Sequence, residues 1–335
     1  MERPGAIHLR SVSPAGIPPE GLRPHDRHDE LAATVALIRK KLHPADRLGS
    51  LIDTQGSAVE LLLRSRSGDA SQVDLPLGAE PERPESTTIP EELARARADV
   101  ERWLERGLDL RAVFDPVYPW PLHEVFNRPP LLFLRGDWRE DTDRWGVSVV
   151  GTRRPSPSGM ERASRLAREL SEAGYPVVSG LAYGIDTIAH RSALAAGGRT
   201  LAVMGTGLDH VYPRSNAILA DEIVASGGAL ITQFFPHQKP ARWTFPMRNA
   251  AMSGISVATV VVEASETSGA RMQARLALQH GRSVFLLRSL IEEHEWGRVM
   301  VEQGMYGTQA IQVTDASEIL DRLKGRDRLP EALAV

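Results

Sequence analysis

The sequence predicts an α/β fold: a doubly wound, mostly parallel sheet preceded by a small N-terminal helical domain. Two observations predict it. Between Val147 and Leu287, short β-branched runs alternate with stretches of helical periodicity, and most of the runs end in a glycine-containing turn. That is the pattern of parallel strands joined by crossover helices. Ahead of them, residues 30–64 place Leu31, Val35, Leu37, Ile38 and Leu42, then Leu48, Leu51 and Ile52, at helical spacing, with "LGS" and "TQGS" as breaks.

The unit that anchors the rest runs from Val147 to Asp186. "VSVV" is a buried strand closed by Gly151, and "TRRPSPSG" is a polar turn. A helix follows with Met160, Ala163, Leu166, Ala167 and Leu170 on one stripe and Arg162, Arg165, Arg168 and Glu169 on its wetter sides. Ser158 with Glu161 three residues on predicts the capping box that starts it, and Gly174 the stop. "PVVSG" is the second strand. One β-α-β unit implies parallel strands and a right-handed crossover, with ligands beyond the carboxyl ends of the strands. Both strands end in glycine turns, and the first carries the adjacent cations Arg153 and Arg154.

Taken in order, residues 1–28 are proline-rich without apolar periodicity and read as a flexible arm; its "HDRHD" reads as a solvated loop rather than a metal cluster. Residues 65–90, rich in Pro, Ser, Gly and Glu, read as an extended linker. Helical signals resume at Glu91, and Leu131–Arg135 is a strand expected at the sheet edge. "TLAVMGTG", "ALITQF", "ATVVVEA" and "SVFLL" continue the strands, with helices between them. About five parallel strands within residues 91–290 then make the main domain. Residues 291–335 are a short α/β extension, too short for an added winged helix.

Composition narrows the function. Of 335 residues, 42% are hydrophobic and 25% charged, and the formal net charge is -3. Any nucleic-acid site is therefore a local patch and not a global field. The absence of cysteine excludes disulfides, thiol catalysis and Fe–S clusters. No apolar run approaches the ~18 residues of a membrane span, and no signal-peptide core opens the chain. The expectation is a cytoplasmic protein with no membrane contact.

No P-loop, zinc-helix or nucleophile-elbow motif occurs, and "GTGLDH" has His210 where a dinucleotide fingerprint needs its third glycine. No cofactor, metal or catalytic residue is expected; Ser179 and Ser268 suit turn or cap roles better than nucleophilic ones. What the chain does have is strand-end turns carrying cations and aromatics. The first holds Gly151, Arg153 and Arg154; the second Gly180, Tyr183 and Gly184; the third Tyr212, Arg214 and Asn216. A fourth stretch holds Lys239, Arg242, Arg248 and Asn249 among Phe234, Phe235, Trp243 and Phe245. From Ile223 to Val262 there is neither Asp nor Glu. Cations interleaved with rings suit a polyanion whose bases stack, and glycine-turn amides add fixed partial positive charge. For each single aromatic, core packing is an equally good account.

"VVGTRRPSPSG", "VVSGLAYGIDTIAH", "VMGTGLDHVYPRSN", "FPMRNAAMSGIS" and "VVEASETSGA", in this order and spacing, resemble the conserved blocks of the DNA-processing protein A (DprA/Smf) family. "DPVYPWPL" with "RPPLLFLRGDW" resembles the segment ahead of that core. The resemblance covers about Val113 to Leu287; residues 30–63 resemble the family's helical domain only weakly. It implies an extended Rossmann-like domain that binds single-stranded DNA, a homodimer, and delivery of a RecA-type recombinase onto that DNA, as in natural transformation, with no enzymatic turnover. The DNA-contacting residues it implies are Arg153, Arg214 beside Asn216, and the pair Arg248 and Asn249; Ser268 and Gly269, in the last block, are further candidates for the DNA-binding site.

The chain departs from the family pattern in three places. Tyr183 stands where the family carries an arginine, Ala250 replaces another, and "RSLIEEHEWG" takes the place of a glycine-rich segment after Leu287. Two further readings stay open on these departures: a nucleotide-binding sensor or hydrolase of the same architecture, and a protein-interaction partner in a defence or toxin system.

Overall fold

A computed structural model describes residues 26–66 and 88–324; most of the expected arm (1–28) and linker (65–90), and the last eleven residues, lie outside the described residues. The described chain opens with three helices, α1 (Arg27–Lys40), α2 (Ala45–Gln55) and α3 (Ala58–Arg66), followed by α4 (Ile89–Glu105). Then come β1 (Asp109–Ala112), α5 (Trp120–His123), β2 (Leu131–Gly136) and α6 (Glu140–Asp143). The alternating part is β3 (Val147–Val150), α7 (Pro157–Glu172), β4 (Val177–Ser179), α8 (Ile185–Ala195), β5 (Thr200–Val203), a 3-10 turn at Arg214–Asn216, α9 (Ala217–Ala225), β6 (Ala229–Thr232), α10 (Thr244–Ile255), β7 (Ala258–Val261), α11 (Gly269–Gln279) and β8 (Ser283–Leu287). The C-terminal part is α12 (Arg288–Glu293), α13 (Glu295–Glu302), β9 (Ile311–Val313) and α14 (Ala316–Lys324).

The nine strands form one sheet in the order β1-β2-β6-β5-β4-β3-β7-β8-β9. The run from β6 to β9 is parallel throughout, while β1 and β2 join antiparallel at one side. The architecture is the doubly wound, mostly parallel sheet read from the sequence, with corrections in detail. Seven strands are parallel where about five were expected. The edge is β1; β2, expected there, is paired on both sides because Leu131–Leu134 is buried on both faces. The C-terminal extension is continuous with the sheet, since β9 pairs with β8.

Alternate strand residues feed two apolar layers. Val147, Val149, Val177, Val260 and Phe285 meet α7, α8 and α14. Val150, Val178, Leu201, Val261 and Leu286 meet α10 and α11, and that core runs on without a break into α1–α4. The helical segment is thus fused to the sheet. Arg27 ties α1 to Asp115 at 2.9 Å, and Arg97 of α4 reaches Asp29 of α1 at 2.8 Å. The carboxylate of Glu30, 3% exposed, accepts from Ser57 Oγ and the Ala58 and Val59 amides, capping α3 from within the core. The "HDRHD" stretch is therefore no loop from residue 26 on. Asp26 caps α1, and Asp29 is buried in an ion pair; His25 lies outside the described residues.

The α7 cap also differs from the expected box. Ser156, not Ser158, accepts from the Gly159 amide at 3.0 Å, because Pro157 occupies the first helical turn and moves the cap ahead of it. Gly174, at φ +87°, closes the helix as expected.

Candidate nucleic-acid interface

The strand order reverses at β3, between β4 and β7, where a doubly wound sheet opens its ligand crevice. The first two turns meet there backbone to backbone. A Cβ on Gly151 would lie 2.5 Å from Ile185 and one on Gly184, at φ +74°, 2.3 Å from the Thr152 carbonyl. Only glycine lets these turns touch. The contact pushes Arg153 and Arg154 outward, both exposed. Arg153 lies 5.7 Å over the Phe245 ring, within cation–π range, and the Tyr212 ring packs tilted against the same Phe245 ring with centroids 5.9 Å apart. Gly205 makes room for Phe245, whose Cδ1 would be 2.9 Å from a Cβ there.

The second turn is held from below. Buried Asp186 accepts from the Gly180 and Ala182 amides at 3.1 and 3.3 Å. Burial raises its carboxyl above the ordinary range, against the pull of Arg248 and these hydrogen bonds. Arg248, on α10 and only 6% exposed, donates to the carbonyls of Gly180 and Val203 at 2.6 and 3.1 Å and to Asn249 at 2.9 Å. Burial lowers its guanidinium pKa, opposed by Asp186. At the rim the Tyr183 hydroxyl accepts from Ser215 Oγ at 3.2 Å, and both residues are exposed. Asn216 Nδ2 donates to the Leu181 carbonyl at 2.9 Å and to Thr187 at 2.8 Å, locking the third turn to the second.

The predicted residues therefore separate by position. Arg153, Arg154, Tyr183, Tyr212 and Arg214 present exposed side chains on three adjoining strand-end turns, with half-buried Phe245 among them. Arg248, Asn249 and Asn216 are buried and spend polar atoms inside the fold; Arg248 and Asn249 sit on a helix and not in the expected fourth turn. Ser268 caps α11 by accepting from the Ala270 amide, and exposed Gly269 opens that helix. Lys239 and Arg242 are exposed on the loop before α10. Ser179 donates to the Val149 carbonyl, a structural task.

One further residue, which no sequence motif marks, shapes the first turn. Glu263, at the end of β7, places its carboxylate at the N-terminus of α7: Oε1 accepts from the Ser156 amide at 3.0 Å and Oε2 from Ser156 Oγ at 2.7 Å. A Cβ on Gly159 would sit 2.0 Å from Oε2. In related architectures this helix terminus is where a nucleotide phosphate sits; here the chain's own carboxylate fills it. The backbone of Glu263 also accepts from Thr152 N at 2.6 Å, so one residue braces the turn that carries Arg153. The signal in the sequence was the position of Glu263 as the first acid after the acid-free stretch, at a strand end.

The outward cations of these turns share one feature, although other exposed arginines such as Arg47, Arg165 and Arg191 also lack an ion pair among the described residues. Arg153, Arg154, Arg214, Lys239 and Arg242 have no carboxylate partner among the described residues, whereas Arg27, Arg39, Arg97, Arg106, Arg128, Arg135, Arg199 and Arg282 do. Unpaired, hydrated cations beside exposed rings are free to meet an external anion.

Fold and crevice together define an α/β binding protein whose strand ends present a cationic, ring-lined surface. The chain belongs to the DNA recombination-mediator protein A family, whose profile matches residues 109–324. It is 35% identical over 225 residues to the DNA processing protein DprA of Bacillus subtilis, covering 67% of this chain and 74% of that one. To the Smf protein of Escherichia coli it is 39% identical over 238 residues, 69% of this chain and 61% of its relative. The crystal structure of DNA processing protein A from Streptococcus pneumoniae superposes with a TM-score of 0.66 at 28% identity, over 85% of this chain and 95% of that one. The Helicobacter pylori DNA processing protein A, described by its single-stranded DNA binding mode, superposes with a TM-score of 0.57 at 26% identity, over 65% and 96%.

Proposed function

We propose that the protein binds single-stranded DNA across the strand-end crevice and acts as a recombination mediator. In this role a homodimer in the cytoplasm presents the bound strand to a RecA-type recombinase, as in natural transformation, without turning over a substrate. The observation that carries the reading is the set of outward cations without carboxylate partners, Arg153, Arg154 and Arg214, on turns that also expose Tyr183 and Tyr212. The rings give bases a sequence-tolerant stacking surface, and the guanidiniums neutralise phosphates. Family membership and the DNA-binding relative from Helicobacter pylori support it.

Tyr183, standing where the family has an arginine, supplies a ring in place of a charge, and its hydroxyl contact with Ser215 holds that ring at the rim. The mononucleotide-sensor alternative is weakened by Glu263, which already occupies the phosphate seat of α7. The test is an anisotropy titration with oligothymidine: the parent should bind, and the Arg153→Ala/Arg214→Ala variant should not. Equal binding by both would overturn the reading.

A further inference from the structure

A second crevice, of about 400 Å³, lies between α4 and the loops after β5 and β6, lined by Arg102, Trp103, Arg106, Asp209 and His237 among others. Three rings run through its wall as an offset stack. Trp103 lies 5.6 Å from Phe235 at 23°, and Phe235 lies 6.4 Å from His237 at 13°. The inner ring, Trp103, is buried and the outer one, His237, belongs to an exposed residue at the end of the stack. Beside it Arg106, half exposed, pairs with a single carboxylate among the described residues, that of Asp209 at 2.6 Å, itself partly exposed. Arg102 is likewise held by Asp99 of the same crevice.

This crevice shares a turn with the interface described above. Gly205 packs against Phe245, on which Arg153 lies. Two residues on, the Gly207 amide donates to Gln238 O at 2.9 Å, and the Asp209 amide to Pro236 O at 3.0 Å. One strand-end turn therefore borders the Arg153 surface at Gly205 and the His237–Arg106 crevice at Asp209. Helix α4 itself lies ahead of the residues that the family profile matches.

We propose that this crevice is a second nucleotide subsite for the same single-stranded nucleic acid. A base extends the Trp103–Phe235–His237 stack, and its phosphate takes the Arg106 guanidinium from Asp209. A ring face beside a guanidinium matches the two recognition elements of a nucleotide in a single strand. Asp209 is then an internal competitor that keeps Arg106 paired until a phosphate replaces it. The inference rests on the DNA-binding reading given above and extends it onto the helical segment.

The experiment titrates the full chain with oligothymidines of about 6 and about 25 nucleotides, lengths that fill one subsite or span both. Arg106→Ala and His237→Ala should each weaken binding of the long oligomer about 5- to 10-fold, the size of one lost phosphate or stacking contact, with little effect on the short one. Asp209→Asn should strengthen long-oligomer binding, and adding Arg106→Ala to it should abolish the gain. The salt slope of Arg106→Ala should be shallower by about 0.7. Parent-like thermal unfolding of the variants separates these effects from misfolding. Parent-like long-oligomer affinity in Arg106→Ala and His237→Ala, or weaker binding by Asp209→Asn, overturns the subsite. If the parent binds neither oligomer, the underlying DNA-binding reading fails as well; if Arg153→Ala alone loses binding, only the subsite fails.

Discussion

Arg248 Nη1 donates to the carbonyl of Gly180 at 2.6 Å, and a Cβ on Gly180 would lie 1.6 Å from that same nitrogen. The missing side chain at the end of β4 is thus the space that a guanidinium from α10 fills. Arg248 holds the ends of β4 and β5 together, since its second acceptor is Val203 O. Replacing it by methionine keeps the volume but leaves two carbonyls and the Asp186 carboxylate without their cation. Thermal or urea unfolding should show a loss of about 2–4 kcal/mol, the range for breaking a buried charged hydrogen-bond group. A loss below about 0.5 kcal/mol would show that the arginine carries no structural role.

Arg153 and Arg214 should behave in the opposite way. Both are exposed and have no carboxylate partner among the described residues. Alanine at either position should leave stability within about 0.5 kcal/mol of the parent while lowering oligothymidine affinity. Each should make the slope of log affinity against log salt shallower by about 0.7 per lost phosphate contact. An unchanged slope would remove that residue from the interface.

Glu263 braces the first turn through Ser156 and Thr152. Glu263→Ala strips the Ser156 amide and hydroxyl of their acceptor and exposes the α7 terminus. The expected cost is about 1–2 kcal/mol in urea unfolding, comparable to losing a helix cap, with weaker DNA binding because the turn that carries Arg153 loosens. Parent-like stability and affinity together would contradict a bracing role.

His280 links α11 to Ser253 on α10 at 2.7 Å and to Asn127 at 2.8 Å. Burial, with Arg282 adding to it, lowers its pKa from 6.5 to about 4. The folded state therefore holds the neutral ring where the unfolded chain would take up a proton. Its contribution is complete above pH 6.5 and is lost as pH falls from there toward about 4. His190, buried beside Thr200 and lowered to about 3, acts in the same direction. Stability measured by urea unfolding should fall through this window, and His280→Leu should flatten the fall. An equally steep fall in that variant would show that His280 contributes nothing to it.

The sheet was legible because its signals are local: β-branched runs such as "VSVV" and "ATVV" close in turns or helices that the next few residues define. The outward arginines were legible for the same reason, as cations placed beside glycines at strand ends. The rest depends on partners far along the chain. Arg248 looks like any interface arginine until α10 folds back onto a carbonyl 68 residues away, and Glu263 acquires its task from Ser156, 107 residues earlier. The cap of α7 lies two residues ahead of the expected Ser158 because "PSPSG" offers two serines, and only the ring of Pro157 decides between them. The antiparallel placement of β1 and β2 follows from tertiary packing over Leu131–Leu134 and has no local mark.

The central claim is that exposed, unpaired guanidiniums at the strand ends form a single-stranded DNA interface. Its most direct test is the affinity of the parent and of Arg153→Ala/Arg214→Ala for oligothymidine at two salt concentrations. The account predicts salt-sensitive binding by the parent and loss of that binding in the variant, with unfolding unchanged. Binding of equal strength and equal salt dependence in the two proteins would contradict it.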